Sequence, residues 1–144
     1  MTDMAESHTL HLKVAASEID ANGHVNNVEY LRWMQQAAIA HADATGCTAA
    51  TRAAAASWVV RSHFVEYLRP AFLGEEIAIS TWVTSFRKVS SVRKYRIRRI
   101  SDQVLLAEGE THWVFVDETS GKPRAIPMEV STCLPVSPDK GPIA

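Results

Sequence analysis

Scarcity is the first information in this chain. It holds only two cysteines, Cys47 and Cys133, with no Cys-x-x-Cys spacing. Both read as free thiols of a reducing compartment. No stretch approaches the ~18 consecutive apolar residues of a membrane-spanning helix, so no membrane partner is expected. The opening residues Met1-Thr2-Asp3-Met4-Ala5-Glu6 are acidic and lack an apolar segment, so no secretory signal is expected and the cytoplasm is the default location. Neither sign of charge dominates, with fifteen basic residues against sixteen acidic ones. That balance argues against a polyanion binder, and aromatic residues interleave the basic ones only at Tyr95, which argues against nucleic acid. There is no Gly-x-Ser-x-Gly, no phosphate-cradling glycine loop and no zinc-like spacing of His, Cys and Asp. Neither a metal nor a cofactor is expected.

What is present suits one domain. A chain of 144 residues can bury one sizeable core without staples. Leu10, Leu12 and Val14 alternate with His11 and Lys13, which predicts a half-buried strand over residues 9–14. A polar stretch with the turn pair Asn22-Gly23 follows. A helix then opens near Asn26, with Glu29 three residues on as in a capping box, or with Asn27 as the cap. It runs to Thr45 and stops at Gly46. Its apolar residues cover most of its circumference, so it is expected to be enclosed by other structure.

Residues 49–56 are ambiguous between a short helix and a loop. Period-two segments then span residues 58–69, 77–86, 90–100 and 104–116, with Pro70 closing the first. Short connections predict an antiparallel meander of these four strands that curls around the helix, an α+β architecture. The domain is expected over residues 1–130, with an irregular tail over 131–144.

The chemistry concentrates in Asp20-Ala21-Asn22-Gly23-His24-Val25-Asn26-Asn27-Val28-Glu29-Tyr30. A carboxylate, an amide and an imidazole sit on a turn directly before a long apolar helix. The helix start offers free backbone N–H groups and a positive dipole end, which suit an oxyanion. Hydrolysis of a thioester needs that support together with a nucleophile or a base that activates water. Asp20 can serve as either. On spacing alone, Asp20 is equally a turn residue, His24 a packing residue, and Asn26 and Asn27 helix caps.

The pattern Asp-x-x-Gly-His-Val-Asn-Asn-x-x-Tyr resembles the 4-hydroxybenzoyl-CoA thioesterase-like branch of the hotdog-fold thioesterases. Its Asp-x-Asn-x-His core is similar to that of plant acyl-acyl-carrier-protein thioesterases. Phe64-Val65-Glu66-Tyr67-Leu68-Arg69-Pro70-Ala71, Leu73-Gly74-Glu75 and residues 121–127 agree with the resemblance, which covers about residues 9–130. It implies a hotdog fold, a substrate that is an acyl thioester of coenzyme A or acyl carrier protein, and a homodimer or homotetramer with its site at the subunit interface. By the same resemblance Asp20 is the catalytic carboxylate, Asn22 and His24 orient it or the water, and the backbone at Asn27 supplies the oxyanion donor. Two departures stand out. Neither cysteine falls where the plant enzymes carry one, and Gln35 and Gln36 occupy the mid-helix region where another branch carries its acid. A hydratase is disfavoured, because Gly23 replaces the proline of Asp-x-Asn-Pro-x-His and His24 comes one position early. A non-catalytic acyl-thioester binder is the remaining rival.

Two further features have candidate roles. Glu66 shares a strand face with Phe64 and Leu68, so it is either ion-paired or a second carboxylate near Asp20. Seven basic residues (Arg87, Lys88, Arg93, Lys94, Arg96, Arg98 and Arg99) crowd one hairpin. They protect an edge, or Arg93, Arg96 and Arg98 contact the phosphates of coenzyme A or an acidic carrier protein.

Overall fold

The computed structural model describes residues 6–137. The chain runs β1 (Ser7–Lys13), a 3-10 turn (Ala16–Glu18), α1 (Asn27–Thr45), α2 (Cys47–Ala53), β2 (Ala56–Tyr67), β3 (Glu76–Phe86), β4 (Ser90–Arg99), β5 (Leu105–Asp117) and α3 (Met128–Ser131). Helix α1 begins because Asn26 caps it, its side-chain oxygen accepting from Val28 N–H at 3.2 Å. Glu29 pairs instead with Arg32, at 3.6 Å. The helix ends because Gly46 takes the left-handed conformation, φ +85°. The ambiguous segment after it is largely helical, forming α2.

All strands pair antiparallel in one five-stranded sheet of order β1-β3-β4-β5-β2. Only β3, β4 and β5 form a meander. The expected four-strand meander fails at β2, which pairs with β5, Ala56 opposite Asp117 and Tyr67 opposite Ala107. The reason lies in residues 68–75, which are not a hairpin turn. Pro70 cannot donate to a ladder, and Ala71 O accepts from Val25 N–H at 2.9 Å, so this crossing closes over the start of α1.

Helix α1 lies on one face of the sheet and buries a stripe of Tyr30, Trp33, Met34, Ala37, Ala38 and His41. That stripe packs on Ile77, Ile79, Tyr95, Ile97 and Ala107. The opposite side is open, with Val28 51% and Ile39 57% exposed, so one five-stranded sheet does not enclose the helix. A second cluster joins Cys47, Ala56, Val83, Phe115, Val130 and Leu134, and thereby seats α2 and α3 on the far end of the sheet. Cys47 and Cys133 are both free thiols. The expected tail beyond residue 137 lies outside the described residues.

Gly109 sets how closely α1 approaches. A Cβ there would lie 2.7 Å from both Cε and Sδ of Met34, which is fully buried. Gly109→Val should therefore destabilise the fold by about 1–3 kcal/mol in urea unfolding, and Met34→Ala in the same chain should return part of the loss. Wild-type stability for Gly109→Val would contradict this account.

Candidate active site

The turn before α1 is built by its own backbone. Ile19 and Val25 form an antiparallel bridge. Inside it Asp20 N–H donates to His24 O at 3.0 Å, and Gly23 N–H donates to Asp20 O at 3.0 Å. Gly23 has φ +82°, which other residues resist. Asp20 Oδ1 accepts the Asn22 N–H at 2.8 Å, while Oδ2 has no partner among the described residues. Asp20 is half-buried; Asn22 is exposed.

His24 Nδ1 lies 3.3 Å from Val25 O. A carbonyl only accepts, so a hydrogen bond here is donated by Nδ1–H, and in the tautomer that makes it Nε2 is an acceptor. The ring meets Phe72 edge-on at 6.5 Å. Asn27 is the first residue of α1, and its N–H has no acceptor among the described residues. Its carbonyl accepts from the Tyr67 hydroxyl at 3.0 Å. Tyr67 stands edge-to-face on Tyr30, with ring centroids 5.1 Å apart. Burial pushes both phenols above their ordinary range, so both keep their protons near neutrality.

These groups border a cleft of about 190 Å³ walled by His24, Val25, Asn27, Tyr30, Tyr67, Leu68, Arg69 and Pro70. Of the sequence-predicted catalytic residues, His24 and Asn27 are in its wall. Asp20 and Asn22 sit on the adjoining turn. Tyr67 and Arg69 belong to the cleft without any role foreseen for them. Both fall inside residues 64–71, but only the closure of residues 68–75 over the helix start brings the Tyr67 hydroxyl to Asn27 O and Arg69 to the same cleft.

The predicted substrate-binding group is split by the sheet. Arg93 faces α1, only 4% exposed, with Nη1 2.9 Å from His41 Nδ1 and 3.0 Å from Thr81 Oγ1. It is therefore a core residue and forms no surface patch with Arg96 and Arg98, which are on the opposite face because strand side chains alternate. Burial pulls its pKa down from the ordinary guanidinium value. Glu66 is exposed on that outer face, so the condition for a buried carboxylate is not met. Glu66 and Arg96 border a second hollow of about 230 Å³ with Phe64, Trp82, Lys94 and Glu110. There Arg96 pairs with Glu108 at 3.8 Å and Lys94 with Glu110 at 3.6 Å, and Arg96 covers the Trp82 ring at 5.5 Å. Such half-exposed cross-strand pairs saturate one another and leave little net charge for a ligand.

The fold has known counterparts. A family model described as the thioesterase-like superfamily matches residues 14–134. The acyl-CoA thioester hydrolase YbgC of Escherichia coli O157:H7 is 33% identical over 123 residues, 83% of this chain and 89% of that protein. Among solved structures, the probable thioesterase YbaW from Escherichia coli superposes with TM-score 0.81 at 21% identity, over 88% of this chain and 95% of that one. The SAV2348 protein from Staphylococcus aureus, in complex with CoA, superposes with TM-score 0.80 at 16% identity, over 89% and 81%. The architecture is the hotdog fold. The chain belongs to the thioesterase-like superfamily and is a thioester hydrolase of that class.

The cap should be separable from the chemistry. Asn26→Ala should cost about 1 kcal/mol of stability in thermal or urea unfolding, while Asn26→Asp should keep it. Equal stability of all three would remove Asn26 from its capping role.

Proposed function

We propose that the chain hydrolyses acyl-CoA thioesters, with Asp20 as the reacting carboxylate and Asn27 N–H as the oxyanion donor. One observation carries the reading. Asn27, whose backbone N–H has no acceptor among the described residues, stands at the dipole end of α1 and borders a cleft, one turn of chain away from a carboxylate with one oxygen unpartnered among the described residues. The YbgC relative, an acyl-CoA thioester hydrolase by name, supports the substrate class.

As a general base, Asp20 takes a proton from water while the oxygen attacks the thioester carbonyl. Negative charge on the carbonyl oxygen is held by Asn27 N–H. Collapse expels the thiolate, which recovers the proton from Asp20. As a nucleophile, Asp20 instead attacks the carbonyl and the C–S bond breaks to release the thiolate, leaving a mixed anhydride; water cleaves it to the product acid and the Asp20 carboxylate, and the proton released neutralises the thiolate. His24 Nε2 is the acceptor that holds the water, and Asn22 N–H fixes the other carboxylate oxygen. Tyr67 anchors the helix start from the opposite wall. Arg69, exposed at the cleft, is better placed for a coenzyme A phosphate than Arg96 or Arg98.

The reading extends to assembly. Strand β2 is an edge, twelve residues long, and exposes Val59 (45%) and Phe64 (66%). Long apolar edges are normally covered, and a second copy paired along β2 covers this one. Light scattering should give a dimer or a dimer of dimers, and a monomer would overturn the assembly reading. For the chemistry, hydrolysis of an acyl-CoA panel, followed by released thiol, should fall about a hundredfold or more in Asp20→Asn. Wild-type turnover by that variant would remove Asp20. Binding without turnover by wild type would indicate a binding module, and turnover only of carrier-protein thioesters would move the substrate class. Oxygen-18 from labelled water appearing in Asp20 in a single turnover would select the nucleophilic route, with water attacking the Asp20 carbonyl of the anhydride.

A further inference from the structure

Glu18 makes more directed hydrogen bonds than any other residue near the turn, and the proposed chemistry gives it no part. Its two carboxylate oxygens are both engaged. Oε1 accepts from Ala15 N–H at 2.8 Å, and Oε2 accepts from Trp33 Nε1–H at 2.8 Å. Its main chain is engaged as well, with its N–H on Ala15 O at 3.0 Å and its carbonyl accepting from Asn26 N–H at 2.9 Å. Trp33 is buried to 1% exposure in the core stripe of α1, about two turns beyond Asn26. Its indole N–H is satisfied, whereas those of Trp82 and Trp113 are buried without partners. Trp58 also has a partner, its Nε1–H donating to Thr51 Oγ1 at 3.2 Å, but Trp33 is the fastened tryptophan that faces the turn.

These bonds triangulate. The Glu18 carbonyl holds the helix cap, its side chain holds the body of the same helix, and the chain directly after it enters the Ile19–Val25 bridge that carries Asp20. The distance and angle between Asp20 and Asn27 N–H are therefore set through Glu18. A half-buried carboxylate with each oxygen on a fixed donor is also a stiff connection, because charge-assisted bonds are short and strong.

We propose that Glu18 is a positioning residue for thioester hydrolysis, acting through Trp33 to hold the Asp20 turn in register with the oxyanion donor. The inference rests on the function proposed above. Misplacement by about 1 Å can cost ~100-fold in rate without removing any reacting group, so the effect belongs in kcat and not in KM. A residue that served stability alone would lower the melting temperature and leave kcat of the folded protein unchanged.

The test is a double-mutant cycle on the full chain with an acyl-CoA that the wild type hydrolyses, measured well below each melting temperature. Glu18→Ala and Trp33→Phe should each lower kcat about tenfold to a hundredfold, with KM within about threefold of wild type. The double variant should be no slower than the worse single one, since both break one contact. Glu18→Gln keeps the volume and one acceptor, so it should recover part of the lost kcat. Should Glu18→Ala fail to fold, Glu18→Gln takes its place in the cycle. Wild-type kcat in a folded Glu18 variant, or losses that multiply in the double variant, would overturn the proposal. If the wild type itself turns over no acyl-CoA, or Asp20→Asn retains full turnover, the functional reading fails and takes this inference with it. If Asp20→Asn is inactive while the Glu18 variants are not, this inference alone fails.

Discussion

How closely α1 can lie against its sheet is the constraint on which the rest of the structure depends. Met34 occupies the space that a side chain at position 109 would need, so the absence of a Cβ there brings the helix down onto β4 and β5. Tyr30 and Trp33 can then reach the core one turn earlier, and the helix start is drawn against the crossing at residues 68–75. A longer gap would leave the Tyr67 hydroxyl short of Asn27 O, and the cleft would lose a wall. The packing of a thioether on a glycine thus propagates to the position of a backbone N–H at the other end of the stripe.

The electrostatics of α1 are arranged along the same axis. Its first turn presents an unengaged N–H to the cleft, where the dipole favours negative charge. Its last turns carry His41, which accepts from the buried Arg93 and is stacked on His8 at 5.8 Å. A guanidinium near the carboxyl end of a helix sits where the dipole favours a cation, which offsets part of the cost of burying it. The His41–Arg93 contact also fixes His41 Nδ1 as the acceptor, so that imidazole nitrogen carries no proton. The buried guanidinium of Arg93 thus stands towards the end of the helix remote from the cleft.

Much of this was legible in the sequence, and what was not had physical causes. The Asn26 and Gly46 signals located both ends of α1, because caps are local chemistry. The period-two runs located all five strands to within about two residues. Pairing was not local. Nothing in residues 58–69 says that β2 must join β5, since that depends on a crossing whose length suits either arrangement. The basic hairpin misled for a related reason. Alternation puts Arg93 on one face and Arg96 and Arg98 on the other, but which face meets α1 is decided by the whole sheet. The helix looked apolar all round because residue types were counted without knowing that a single sheet covers one side. Tyr67, Arg69 and Glu18 were passed over because each acts through a partner far away in the sequence: Asn27, the cleft and Trp33.

The spacing of polar residues before α1 makes sense as a division of donors. A helix start has several N–H groups in need of acceptors, and an aspartate beside it would ordinarily cap it. Here Asn26 caps Val28 with its own oxygen, so the carboxylate is not needed for that task. Asn22 N–H occupies one Asp20 oxygen and holds the carboxylate in its own turn. Asp20 and Asn26 each thereby accept from a donor two residues further on. The group left over is Asn27 N–H, which sits at the helix end beside the cleft and has no acceptor among the described residues. Replacing Asn26 with a residue that cannot cap would free Val28 N–H as well and give Asp20 a competing partner. The order Asp, Asn, Asn, Asn at positions 20, 22, 26 and 27 therefore keeps the carboxylate and the donor apart, and two groups that would otherwise neutralise each other both stay available to a third.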